Sequence, residues 1–305
     1  SEHSAARESY GESIAAYDSA LERAPDDVYA LNNKGSSLQK LANLQAMLLE
    51  HSAARESYGA SIAAYDAALE RASDYVSALN NKGLSLQGLA ELQVMLSEHS
   101  AARESYGASI AAYDAVLERA PDDVYALNNK GSSLQGLANL QAMLLEHSAA
   151  RESYGASIAA YDAALERASD YVSALNNKDL SLSKLAELQA MLSEHSAARE
   201  SYGASIAAYD AALERGLDDV EVLNNKGNSL QRLADLLMQQ EELKSAIDCL
   251  EMALSLWGRS LQIAPGNTQL QQHYDQIESY LQSLLEDNQS ATTAQSAAVQ
   301  QSPND

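Results

Sequence analysis

The chain has 305 residues, long enough for one large core or two ordinary domains. Its 20 Lys and Arg oppose 43 Asp and Glu, a formal charge of −23 that repels phosphate backbones and anionic membranes, so neither nucleic acid nor a membrane is an expected partner. Cys249 is the single cysteine, which excludes an internal disulfide framework and a thiolate zinc site. Apolar runs of a few residues cannot span a bilayer, and with no charged-then-apolar leader the expected location is cytoplasmic.

A composition rich in Leu, Ala and Tyr, with no Phe and only four Pro, reads as all-α. Internal repetition then sets the architecture. The string EHSAARESYG begins at Glu2, Glu50, Glu98, Glu146 and Glu194, a period of 48 residues. A diverged sixth copy aligns Trp257 with Tyr17, Leu261 with Leu21, and Ala264-Pro265 with Ala24-Pro25. Alternate copies are the more alike: APDDVYALNNKGSSLQ opens at Ala24 and Ala120, whereas ASDYVSALNNK opens at Ala72 and Ala168. A unit of 96 residues is therefore the one most recently duplicated.

Taken in chain order, residues 2–24 predict a lone second helix. We expect a piece excised from a longer array, or an isolated domain. Five hairpins follow, over residues 27–72, 75–120, 123–168, 171–215 and 219–263. In the first helix of each, apolar residues recur by threes, fours and sevens, as at Leu31, Leu38, Leu41, Leu44 and Leu48. In the second, Ala54, Tyr58, Ile62, Tyr65 and Leu69 form one stripe. Ala24-Pro25-Asp26-Asp27 is a clear stop, with Asp27 placed to cap the next helix. The junction Leu48-Leu49-Glu50-His51-Ser52 lacks Gly and Pro, and Ser52 is its expected N-cap. Gly11, Gly59, Gly107, Gly155 and Gly203 recur in mid-helix, which predicts close backbone packing there. Residues 268–285 predict a capping helix, with Gln269, Gln271, Gln272, His273 and Glu278 on its polar face. Residues 286–305 read as a disordered polar tail.

These residues resemble the tetratricopeptide repeat family. ALNNKGSSLQKLA (Ala30 to Ala42) is similar to its first helix, through Leu31, Gly35 and Leu38. SIAAYDSALERAPDD (Ser13 to Asp27) is similar to its second, through Ser13, Tyr17, Ala20 and Pro25. The likeness covers about residues 2 to 285 in five near-identical copies and one degenerate copy. It departs in length, because the family repeat is about 34 residues. The surplus looks like one heptad added to each helix, giving helices of about 20 residues and roughly 30 Å. The resemblance implies a right-handed α-solenoid of antiparallel hairpins over residues 1–285.

Few residues suggest chemistry. Five Glu-His pairs, at His3, His51, His99, His147 and His195, invite a metal reading, but His51 falls where the family has an aromatic turn residue. No HExxH, phosphate-cradling glycine loop or GxSxG occurs, so no catalytic residue, metal or cofactor is expected. Lys34, Lys82, Lys130, Lys178 and Lys226 are expected to reach acidic residues of the neighbouring helix. Asp179 replaces the glycine found at Gly35, Gly83, Gly131 and Gly227, and is expected to be an unpaired, destabilising carboxylate.

In the family, first helices line a concave groove that takes a peptide or a partner helix. Carried over, that face comprises Asn32, Asn80, Asn128, Asn176 and Asn224, with Ser36, Leu84, Ser132 and Leu180 beside them. Gln39, Gln87 and Gln135 follow one turn on, and Tyr29 and Tyr125 flank the helix starts. A ladder of amides suits a peptide backbone. Lys40, Lys184 and Arg232 are the only positive charges nearby, with Gly88 and Gly136 between them, so an acidic C-terminal peptide is a poor fit. The expected function is a non-enzymatic protein-interaction scaffold with a neutral or basic protein or peptide partner. The rival is a spacer or an array that self-associates end to end.

Overall fold

In the computed structural model, which describes residues 2–214 and 220–300, every regular element is helical. Twelve helices occupy those residues: α1 (Glu2–Arg23), α2 (Val28–Met47), α3 (His51–Arg71), α4 (Val76–Met95), α5 (His99–Arg119), α6 (Val124–Met143), α7 (His147–Arg167), α8 (Val172–Met191), α9 (His195–Glu214), α10 (Val220–Gln239), α11 (Leu243–Ile263) and α12 (Thr268–Gln300). They form two compact units, Ser1–Asn177 and Lys178–Asp305, and the division falls inside α8. In the first unit α2 packs on α3, α4 on α5 and α6 on α7 as hairpins. In the second, α10 packs on α11 and α11 on α12. The expected link at residues 216–218, between the fourth and fifth hairpins, lies outside the described residues, as do residues 1, 215, 219 and 301–305.

Two tiers of side chains hold each hairpin. The upper tier joins Leu31, Tyr65 and Ala68 to Ala78 of the next first helix. It recurs as Leu79, Tyr113, Val116 and Ala126, and as Leu127, Tyr161, Ala164 and Ala174. The lower tier joins Ala42, Ala54, Tyr58 and Leu92. It recurs as Ala90, Ala102, Tyr106 and Leu140, and in the second unit as Ala186, Ala198, Tyr202 and Leu236. Tyr58 stands one heptad before Tyr65, so the lower tier is the added length of the repeat. Each buried ring stabilises by about 25 cal/mol per Å² removed from water.

The turn without Gly or Pro is a Schellman motif. Glu50 N–H donates to Gln45 O at 2.8 Å and Leu49 N–H to Ala46 O at 3.0 Å, with Leu49 left-handed at φ 60°. Ser97, Leu145, Ser193 and Glu241 repeat the conformation. Glu50, not Ser52, is the N-cap of α3, and its side chain makes no cap bond. Its carboxylate is held instead by Arg7 at 2.6 Å, as Glu98 is by Arg55. A second correction concerns the mid-helix glycines: nothing lies within 4 Å of where a Cβ would stand on Gly11, Gly59, Gly107, Gly155 or Gly203. They face open space. A third concerns the end of the chain, because α12 continues past Leu285 to Gln300. Ala and Gln are good helix formers, and no Gly or Pro intervenes before Pro303.

Candidate functional site

The Asp caps set where the first helices begin. Asp27 accepts from Tyr29 N–H at 2.9 Å and Ala30 N–H at 3.0 Å, and Asp123 accepts from Ala126 N–H at 2.9 Å. The lysines reach back as expected. Lys34 pairs with Asp18, Lys82 with Asp66 and Lys130 with Asp114, each at 2.6 Å, and Lys226 pairs with Asp210. The asparagine column Asn32, Asn80, Asn128, Asn176 and Asn224 lies on the same first helices.

In the first unit the column is bonded sideways. Asn81 Nδ2 donates to Asn32 Oδ1 at 3.1 Å, and Asn177 Nδ2 donates to Asn128 Oδ1 at 3.1 Å. Asn32 and Asn128 donate in turn to their neighbours Asn33 and Asn129 at 3.3 Å, and both are 7% exposed. At these two positions the amides join successive first helices. Asn80 differs: its Nδ2 reaches Asp123 Oδ2 at 3.4 Å, while its Oδ1 is buried without a partner. One turn on, Gln87 donates to Ser132 Oγ at 3.1 Å, and Gln135 Nε2 is buried without a partner. Ser36, Gln39, Leu84 and Asn176 are half-buried on the same helices.

Tyr29 is 72% exposed and Tyr125 is 70% exposed. Each meets a tyrosine that precedes the next first helix. Tyr29 packs edge-on to Tyr75 with ring centres 5.8 Å apart, and Tyr125 does so to Tyr171 at 5.9 Å. Burial and the neighbouring Tyr125 raise the pKa of Tyr171.

In the second unit a cavity of about 400 Å³ is walled by Asn224, Asn225, Asn228, Asn267, Gln269 and His273, with Leu270. Asn224 Oδ1 is buried there without a partner. His273 is fixed by Gln231 Oε1 at 2.9 Å and by the Trp257 ring. Leu180 is 41% exposed. Asp179 is not unpaired: it accepts from Ser205 Oγ, and from Ser229 Oγ at 2.6 Å. Burial nevertheless raises its pKa, against those two hydrogen bonds.

The Glu-His pairs do not converge. Among the described residues no three His, Cys, Asp or Glu side chains form a group that could hold a metal ion. His51, His99 and His147 each bury an unpartnered Nδ1 at the hairpin turn. Among the described residues no helix is long and apolar enough to cross a membrane.

Asn81, Asn177, Tyr75 and Tyr171 are absent from the sequence-derived set. The sequence signal for Tyr75 and Tyr171 is the alternation of Asp with Tyr at 27, 75, 123 and 171, and for Asn81 and Asn177 it is the recurring Asn-Asn doublet. Neither pattern reveals contacts between residues nearly one period apart.

No family model matches the chain, and no curated protein matches it. Among solved structures it is similar to the crystal structure of BtubC (BKLC) from P. vanneervenii. The two share 14% identity over 87% of this chain and 93% of that one, with a TM-score of 0.62. It also aligns with TTC0263, a thermophilic TPR protein of Thermus thermophilus, at 16% identity over 80% of this chain and 98% of that one (TM-score 0.39). A third is YrrB, described as a TPR protein with an unusual peptide-binding site, at 17% identity over 82% and 98% (TM-score 0.38). The likeness is one of fold. The chain has a tetratricopeptide-like all-α architecture of repeated helical hairpins.

Proposed function

We propose that the chain is a non-enzymatic protein-interaction scaffold, binding a neutral or basic peptide or partner helix on the face of its first helices. The observation that carries this reading is the set of buried amide atoms with no partner: Asn80 Oδ1, Gln135 Nε2 and Asn224 Oδ1. A buried acceptor or donor without a partner costs free energy in the unbound protein, and turning these side chains outward onto the N–H and C=O groups of an extended peptide would relieve that cost. The formal charge of −23 favours a neutral or basic partner.

The test is capture of partners from a lysate of the source organism on the immobilised chain. The comparison variant carries Asn80→Ala, Gln135→Ala, Asn224→Ala and Asn228→Ala, with helicity checked by circular dichroism. Asn32 and Asn128 stay intact, because their side chains bond adjacent helices. Proteins held by the native chain and lost from the variant support the scaffold reading. Equal capture by both, or capture of further copies of the chain alone, replaces it with the spacer or self-association reading.

A further inference from the structure

In each tyrosine pair one ring packs on the upper tier, Tyr75 against the Leu31 and Tyr65 cluster and Tyr171 against the Leu127 and Tyr161 cluster, while its partner, Tyr29 or Tyr125, is left largely exposed. At the N-cap of α2, Asp27 accepts two backbone N–H bonds, whereas Tyr75 at the N-cap of α4 makes no side-chain cap bond. The repeat therefore gives up a cap to place a ring there. That ring stands against one that is 72% exposed, so the Tyr29 member of the pair contributes little to the core.

The carboxylates beside the pairs are also set apart. Asp26 is neutralised by Arg71 at 2.6 Å and Asp122 by Arg167 at 2.8 Å. The arginine one repeat on, Arg119, donates instead to Ser73 O at 3.2 Å. Asp74, the chain neighbour of Tyr75, is left without an ion-pair partner among the described residues, and Asp170, the neighbour of Tyr171, has none there either. Each tyrosine pair is thus joined in sequence to a carboxylate with no ion-pair partner among the described residues, and the arrangement occurs twice, 96 residues apart.

From this juxtaposition we infer that Tyr29 with Tyr75, and Tyr125 with Tyr171, are two receptors for arginine side chains of an extended basic peptide. A guanidinium stacks on a tyrosine face and forks its N–H groups to a carboxylate, which Asp74 and Asp170 supply. The inference rests on the scaffold reading and names its partner class. α2 and α6 are two helix spacings apart, roughly 20 Å at 8–10 Å each. An extended residue spans about 3.3–3.6 Å, so about eight residues join the receptors with slack. One peptide then engages both pairs, and its second contact is intramolecular.

The test is fluorescence anisotropy of a labelled peptide with two arginines separated by about eight Gly and Ser residues, titrated with the full chain. Its control carries citrulline at both positions, which keeps the shape and removes the charge. The arginine peptide should bind about ten-fold more tightly. Tyr29→Ala with Tyr125→Ala should erase that advantage. Tyr75→Asp with Tyr171→Asp is the sharper variant: it places at these helix starts the residue type that caps α2 and adds negative charge, and circular dichroism checks that the helices survive loss of the two rings from the upper tier. Receptors built on the rings predict weaker binding of the arginine peptide, whereas attraction by charge alone predicts tighter binding. Equal affinity for the two peptides, unchanged or tighter binding by either double variant, or no binding of the arginine peptide overturns the inference. Lysate capture that survives in both double variants leaves the scaffold reading standing without it.

Discussion

The Cβ that Gly35 lacks would sit 2.7 Å from the ring of Tyr65, which is itself fully buried. Gly83 stands in the same relation to Tyr113, Gly131 to Tyr161 and Gly227 to Trp257. Each of these first helices thus offers bare backbone to the largest ring of its hairpin. Gly88 and Gly136 do the same for Tyr58 and Tyr106 in the lower tier.

Glycine therefore has opposite meanings at two places in one repeat. Gly59→Ala, Gly107→Ala and Gly155→Ala should each stabilise by about 1 kcal/mol, since an open helix interior favours Ala over Gly. Gly35→Ala should destabilise by about 1–3 kcal/mol, because a buried ring cannot yield. Urea unfolding followed by circular dichroism separates the two, and a stabilising Gly35→Ala would refute this packing of backbone against ring.

Asp179→Gly should raise the melting temperature at pH 7. The folded chain holds the Asp179 proton more tightly than the unfolded chain does, because burial raises its pKa above 3.8. Its contribution is fully present below that value and is lost as pH rises through the folded pKa. The gain from substitution, more than about 1 kcal/mol at neutral pH, should shrink as pH falls towards 3.8. A gain that does not depend on pH would mean that relief of crowding, not of charge, is responsible.

Leu49 and Leu145 hold φ of 60° and 61° while 72% and 71% exposed. A left-handed L-residue costs about 1–2 kcal/mol, and a side chain so exposed contributes little packing to offset it. Leu49→Gly and Leu145→Gly should each stabilise by about 1 kcal/mol, net of glycine's unfolded-state entropy. Thermal melts of the single and double variants check this, and the two effects should add.

Alkali should unfold the chain through its tyrosines. Burial first, then Glu91, pushes Tyr58 up to about 12 from 10.0. Tyr202 rises to about 12 chiefly by burial, and burial also raises Tyr65, Tyr113 and Tyr161. The unfolded chain releases these protons first, so stability is intact below pH 10 and falls as pH climbs towards 12. Tyrosinate absorbance and helicity should then change together in one step. Ionisation of these buried rings with helicity intact would contradict their placement.

Much of this was legible in the sequence because it depends on near neighbours. Spacings of three, four and seven at Leu31, Leu38 and Leu41 mark one face of a helix whatever it packs against. Asp27 caps its own helix within three residues. The heptad from Tyr58 to Tyr65 predicts the second tier for the same reason. Ser52 fails as a cap because Leu49 adopts a left-handed turn that neither its side chain nor its neighbours announce.

What the sequence determined by itself is the 48-residue period, its alternation over 96, the helices with their apolar stripes, and the acidic surface. These are properties of composition and short spacing. Tertiary structure alone decided which side chains are spent on neighbours. Asn81 reaches Asn32 across 49 positions, and Arg71 reaches Asp26 across 45. Tyr29 finds Tyr75, while Gly59, repeated more faithfully than Gly35, faces solvent. The register of one hairpin on the next fixes these outcomes, and that register is set by packing of the two tyrosine tiers rather than by any local preference of the chain.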